Sequence, residues 1–286
     1  MLPAVFALAA AVSFAGAGIF LRRAITSVTP PTAALVSVTF TMAFVWIVAT
    51  ATGPLSRFLA RETVFFFCAG LAAPGLARLV YYLGLARVGV ARSAALISVA
   101  PIFAVALAIA VLGERPSVFA VAGVGGVVAG GALLARRGRE EKRWRRRDLV
   151  LPLLAALGFA IRDIVSRHGL ETYPEPMVAA AAATLASVSL MWALAAARVV
   201  PFVRPPRRGF GWLALSGVCE CLAYVTMWRA LATAPVSIVS PLVHAQPLFT
   251  IVLAAVFLRD VERMTWRLVL ASLLIVAGVT VVLRFS

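Results

Sequence analysis

"SVAPIFAVALAIAVLGE" at residues 98–114 and "HAQPLFTIVLAAVFLRD" at residues 244–260 are one apolar segment written twice. Laid over each other at a separation of 146 residues, Pro101 meets Pro247, Phe103 meets Phe249, Leu107 meets Leu253 and Leu112 meets Leu258. The closing acids, Glu114 and Asp260, also meet. A second match lies upstream: "FAGAGIFLRRAI" from Phe14 and "FAIRDIVSRHGL" from Phe159, 145 residues apart, share Phe, Ala, Ile and Arg at equivalent places. Ala, Val and Leu coincide readily between apolar segments, whereas aligned prolines and phenylalanines do not. Two matches at nearly one separation read as an internal repeat.

Working outward, the 286-residue chain is 63% hydrophobic, has mean hydropathy +1.00 and is only 13% charged. A soluble domain of this size carries far more polar surface, and apolar runs of about 20 residues span a bilayer as helices. Such runs fall at 3–21, 32–52, 64–84, 91–112, 117–135, 149–168, 177–197, 211–231, 236–258 and 266–283. The separators "TPPT", "TGPLSR", "GERPS", "TYPEP" and "VRPPRRG" carry the Pro and Gly that stop helices. The expected fold is an all-α membrane protein of ten transmembrane helices. It divides into a first five-helix repeat at 1–135, a basic linker "RRGREEKRWRRRD" at 136–148 and a second five-helix repeat at 149–286. An odd number of spans per repeat inserts the halves in opposite senses, the inverted plan of secondary transporters. The first span is not read as a cleaved signal, because its basic residues follow the apolar run and its sequence recurs inside the chain.

The formal charge of +16 is written almost wholly as Arg, with Lys142 the only lysine. The arginines cluster between apolar runs, where they set membrane orientation, so nucleic acid is not the expected partner. Cys68, Cys219 and Cys221 lie within spans, and Cys219-Glu220-Cys221 lacks the spacing of a redox or zinc pair. Neither a metal nor a cofactor is expected. An enzyme is not expected either, since His168 and His244, one far from the other in the chain, give little material for a catalytic set. "GVGGVVAGG" at 123–131 follows no strand and does not fit G-x-G-x-x-G; Gly126 and Gly130 make a small-xxx-small packing face instead.

The stretch "YYLGLARVGVARSAALISVAPIFAVALAIAVLGERPS" at 81–117 resembles the signature region of EamA-type transporters of the drug/metabolite transporter superfamily. An aromatic helix end, a short Ala-rich turn, a helix with a central Pro and a closing Leu-Gly-Glu come in that family's order. The copy at 228–260 departs by ending in Arg259-Asp260, and the first span has Ala15-Gly16 after Phe14 where the family commonly has Trp-Gly. The resemblance implies a permease or exporter that moves a small metabolite or drug-like solute by alternating access without ATP hydrolysis. It also implies an integral multi-pass protein of the prokaryotic inner membrane. The same fold could serve a lipid or polyprenyl-linked flippase, or an accessory membrane protein that moves nothing. Besides a small-molecule substrate and the bilayer, a homodimer partner stays open. Orientation has two warrants that disagree. The family places both termini in the cytoplasm. Charge places them outside, because Arg22, Arg23, Arg204, Arg207, Arg208 and the 136–148 cluster share one set of connections.

Ionisable groups inside spans face a cavity or a partner. Glu220, near the centre of the eighth span, is the candidate proton-coupling or substrate-binding carboxylate, and Arg78 in the third span is within reach of pairing with it. Ser98 and His244 are repeat equivalents three residues before the matched prolines; with Gln246, the only glutamine, and Tyr82 they complete the expected substrate pathway. Pro101 and Pro247 interrupt both copies and are expected hinges. Asp163 and Arg167 are spaced for an i,i+4 helix pair.

Overall fold

The computed structural model describes residues 2–53, 55–88, 90–135, 145–257 and 266–285. Every regular element among them is helical. The first repeat contains α1 (Leu2–Ala24), α2 (Pro30–Thr52), α3 (Thr63–Gly70), α4 (Ala77–Val88), α5 (Val90–Ile97), α6 (Ala100–Leu107) and α7 (Val118–Ala135). The second contains α8 (Val150–Thr172), α9 (Pro176–Ala196), α10 (Arg207–Thr233), α11 (Val236–Val243), α12 (Gln246–Phe257) and α13 (Trp266–Phe285). Eight helical stretches among the described residues are long and apolar enough to cross a membrane, and two further apolar helices, at Val118–Leu133 and Val269–Phe285, are shorter. The chain is an integral multi-pass membrane protein. Most of the 136–148 linker and the end of the second signature copy, Leu258 to Asp260, lie outside the described residues.

The punctuation acts as the sequence requires. Pro30 and Pro31 open α2 at positions whose N–H groups have no helical partner, and the Gly53 N–H closes it onto the Ala49 carbonyl at 2.8 Å. Three helical pairs are interrupted rather than continuous. Between α5 and α6 the break falls at Ser98 and Val99, and between α11 and α12 at His244 and Ala245. The tight bonds recur at both: Ile102 N–H to Val99 O at 2.9 Å, and Leu248 N–H to Ala245 O at 3.0 Å, 146 residues on. Pro101 and Pro247 therefore do not kink a continuous helix. Each sits in the first turn of the second half-helix, where its missing N–H costs nothing.

The third interruption was not anticipated. Residues Leu71–Leu76 form a wide turn between α3 and α4 that contains Pro74, with Ala73 extended at φ −153° and ψ 135°. The eighth span, α10, runs unbroken for 27 residues, so the two repeats differ here. Proline removes one helical donor and clashes with the preceding turn. The Gly70 carbonyl accepts from Ser187 Oγ of α9 at 2.7 Å, and the lack of a side chain lets Gly70 rest on the Ala183 backbone.

The glycine run packs as its spacing suggests. A Cβ on Gly126 would stand 3.2 Å from Gly278 Cα, and one on Gly278 would stand 2.5 Å from Gly123 O, so α7 and α13 touch backbone to backbone. Gly278→Val should lower the melting temperature in detergent by several degrees, since overpacking costs about 1–3 kcal/mol. Gly125→Ala, which meets nothing within 4 Å, should leave it unchanged. Equal melting of the two variants would remove the packing role.

Candidate functional site

Arg78 stands second in α4, directly after the wide turn, and that position aims it across the bundle at α10. Its Nη2 lies 3.0 Å from Glu220 Oε1, with the two side chains 12% and 6% exposed. The sequence expected this pair. The other carboxylate oxygen, Oε2, accepts from Thr41 Oγ1 of α2 at 2.7 Å. Arg78 Nη1 donates to Ser37 Oγ at 3.2 Å, one turn earlier on α2. Each charge thus has its opposite and a hydroxyl, the condition under which a buried pair is tolerated. Tyr82 and Tyr224 lie within electrostatic reach of the Arg78 guanidinium.

Tyr224 is the residue that sequence reasoning missed. Its buried phenol lies within electrostatic range of both Arg78 and Arg162. At the repeat separation Tyr224 is the counterpart of Arg78, and Glu220 that of Pro74; comparing the copies position by position was the available signal. Arg162 folds back on its neighbour, with Nε and Nη2 donating to Asp163 Oδ1 at 2.9 and 2.7 Å. Its guanidinium also stands 5.3 Å from the Phe159 ring centroid. The expected Asp163–Arg167 pair is absent. Arg167 binds Glu171 Oε1 at 2.9 Å and the Leu231 carbonyl at 2.8 Å. Arg162 is almost wholly buried and must have a counter-charge, while Arg167 sits nearer the helix end, where another acid and a free carbonyl are in reach.

His244 caps α11, its Nδ1 2.8 Å from the Ser240 carbonyl, and it lies within electrostatic range of Asp163 and Arg162. A backbone carbonyl accepts only, so Nδ1 is an N–H donor here. Gln246 Nε2 donates to the Phe14 carbonyl of α1 at 3.2 Å, and the Phe14 ring meets Tyr224 edge-on at 5.6 Å. Arg78, Tyr82, Glu220, His244 and Gln246 are thus linked through Tyr224 and its neighbours. Ser98 turns elsewhere: its hydroxyl donates to the Ala95 carbonyl at 2.7 Å and its Cβ packs toward Gly131 of α7. Among the described residues no group of three or more His, Cys, Asp or Glu side chains is placed to hold a metal.

The closing Leu-Gly-Glu of the first signature copy has a structural task. Gly113 takes φ +68°, a left-handed conformation that ends the helix at low steric cost, and so releases Glu114 outward. The Glu114 carboxylate then accepts the first two N–H groups of α11, from Val236 at 2.7 Å and Ser237 at 3.0 Å. An acid at a helix N-terminus meets both unsatisfied donors and the positive end of the dipole. This contact joins the end of one signature helix to the start of the other. Its counterpart Asp260 lies outside the described residues.

The model of the EamA-like transporter family matches residues 1–136 and again 147–284, so the match covers nearly the whole chain as two repeats. Members of that family are transporters rather than enzymes. One solved crystal structure aligns with a TM-score of 0.82 at 19% identity, covering 98% of this chain and 95% of that one; at that identity the likeness shows the fold alone. No curated protein sequence matches significantly.

The geometry makes the buried pair testable. Arg78→Met strands a buried carboxylate and should destabilise the solubilised protein by about 3–5 kcal/mol, whereas Arg78→Met with Glu220→Met should recover most of that loss. Thermal unfolding of the single and double variants measures it. A double variant no more stable than the single one would show that the two groups act independently.

Proposed function

The chain belongs to the EamA-like transporter family, and from that premise we propose that it is a secondary transporter. It moves a small metabolite or drug-like solute across the membrane by alternating access, and protons drive it through Glu220. Its helices make ten crossings as two inverted halves, with the solute pathway between them. One observation supports this reading above the others: an ion pair in the bundle interior, Arg78–Glu220, is built from one residue of each repeat. The chain also has two helix pairs interrupted at equivalent places, at Ser98–Val99 and at His244–Ala245. Polar groups in a membrane interior are costly and concentrate on transport paths, and broken helices at the repeat interface are where such paths hold their solutes.

The chemistry follows from pairing. Arg78 and Thr41 both bind the Glu220 carboxylate. When Arg78 moves away, or an anionic group of the solute takes Arg78, a carboxylate left among apolar groups is neutralised by binding a proton. Proton uptake and solute movement then share one residue. His244, within electrostatic range of Asp163, supplies a second polar position at the break between α11 and α12.

Purified protein in proteoliposomes, offered a solute library under an imposed pH gradient, tests the reading. Wild type should accumulate at least one solute, and Glu220→Gln should bring pH-driven flux down to the level of empty vesicles while solute binding persists. Undiminished response in that variant would make Glu220 structural. Pro101→Ala and Pro247→Ala should keep membrane yield and slow exchange, because each starts a half-helix next to a break. Unchanged flux in both would remove the hinge role.

A further inference from the structure

Among the described residues, four buried side chains hold a polar atom that no protein group meets: Thr63 Oγ1, Ser93 Oγ, Ser166 Oγ and Trp228 Nε1. Ser93 lies apart, near Gly84 of α4. The other three belong to one seam, where α3, α8 and α10 pack together. The Phe66 ring of α3 meets Trp228 edge-on at 5.7 Å, and a Cβ on Gly169 would stand 2.6 Å from Phe66 Cε1. A Cβ on Gly158 would stand 2.8 Å from Ala77 Cβ, so the chain from Phe66 to Ala77 runs against α8. Thr63, one turn before Phe66, therefore comes level with the end of α8 at Thr172. α8 and α10 run in one sense, since Arg162 is in electrostatic range of Tyr224 and Arg167 donates to the Leu231 carbonyl at 2.8 Å. Ser166 and Trp228 both fall between those two contacts, and each is 0% exposed.

These atoms mark a polar line from the end of the bundle to its centre. Thr63 comes first, with the Arg167–Glu171 pair at the same end of α8. Ser166 and Trp228 come next. Asp163, one turn further in along α8, holds Arg162, and Tyr224 lies in range of Arg162, Arg78 and Glu220. His244 of α11 is in range of Asp163, and Tyr82 of α4 is in range of Arg78 and Glu220. Unmet polar groups in a dry interior are costly, and internal water is what meets such groups in folded proteins. An indole N–H only donates, whereas a hydroxyl both donates and accepts. Water can accept from Trp228 and either donate to or accept from the two hydroxyls. A cation gains nothing from an indole N–H, and an anion would face Asp163 and Glu171, which flank this level on α8.

We propose that this seam holds internal water on Thr63, Ser166 and Trp228, and that the water passes protons between the bundle end and Glu220 by way of Asp163 and Tyr224. Each hop forms one O–H bond as it breaks the next. One proton enters at the end, one reaches the Glu220 carboxylate, and every relay group is left as it was. Trp228 passes no proton itself. It is a positioning residue, whose N–H keeps the water in line. The route deepens the reading of Glu220 as the proton carrier and rests on it.

Two measurements test it. Hydroxyl-radical footprinting of wild type in nanodiscs labels side chains that touch water, buried or not. Trp228 should be oxidised faster than Met191, which is equally buried in another cluster and intrinsically more reactive. Slower oxidation of Trp228 than of Met191 means a dry seam and overturns the proposal without any variant having to fold. In proteoliposomes under a pH gradient, with the solute library supplied and trapped pyranine reading proton entry, Ser166→Ala with Trp228→Phe should lose most of the proton flux. Exchange of library solutes at equal pH on both sides should stay at the wild-type rate, which also shows that the variant is folded. Ser93→Ala, which removes an unmet hydroxyl outside the line, should leave both readouts unchanged. Wild-type proton flux in the double variant, with flux lost in Glu220→Gln, removes the route and leaves the role of Glu220 standing. Loss of exchange at equal pH as well would make the seam structural and overturn the route. Full pH-driven flux in Glu220→Gln would overturn the reading beneath it, and the route with it.

Discussion

A helix interrupted inside a bilayer leaves N–H and C=O groups that no water can meet, and each must find a partner in the protein. This constraint accounts for several of the polar contacts near helix ends and breaks. At the α11–α12 break His244 turns its ring back on the Ser240 carbonyl at 2.8 Å. At the wide turn before α4 Ser187 reaches from α9 to Gly70 O at 2.7 Å. Glu114 receives the first two amides of α11. Two of these partners come from distant parts of the chain, Ser187 lying 117 residues from Gly70 and Glu114 lying 122 from Val236, so those contacts form only once the helices are assembled.

The same breaks bring charge inward. Had α3 and α4 been one straight helix, Arg78 would follow that helix's single face. The turn at Leu71–Leu76 resets the direction, and Arg78 meets α10 instead. Replacing a buried ion pair by well-packed apolar residues is often neutral or stabilising, so Arg78 and Glu220 are a poor device for stability alone. The fold would lose little by having two apolar residues of similar volume there. A pair beside Thr41, Ser37, Tyr82 and Tyr224 is the kind of group that the proposed transport role would use.

Sequence reading went furthest where one helix carried the information. The matched prolines marked both interrupted helices, because proline acts on its own helix's hydrogen bonds. The Arg78–Glu220 pair could be read because both residues sit at similar depth in facing apolar runs. The contacts that escaped were those decided by direction. Asp163 had two arginines in range, and spacing favoured Arg167, yet burial of Arg162 decided the outcome. Pro74 was visible in the third span, but a single proline does not say whether a helix bends or opens into a wide turn. Glu114 could be seen as half of a matched pair of acids; that it caps a helix 122 residues later depends on which loop ends meet.

The two copies share the break before their matched prolines, but they differ in backbone between the third and eighth spans and in chemistry at the centre. Ile102 and Leu248 make the same tight bond after the same break, yet Arg78 answers to Tyr224 and Pro74 to Glu220. A symmetric pair of carboxylates or of arginines would have repelled across the seam. One cation in the first half and one anion in the second attract instead, at 3.0 Å, and so hold the halves together in the arrangement seen. Under alternating access the halves must move relative to each other, and that attraction opposes the motion for as long as both groups stay charged. In the proposed mechanism, neutralising either charge would release it, by a proton on the carboxylate or an anion of the solute on the guanidinium. In the alternating-access cycle proposed above, an ion pair across the seam would act as a brake whose release is chemical. Its strength depends on the dryness of its surroundings, which the apolar helices around it provide.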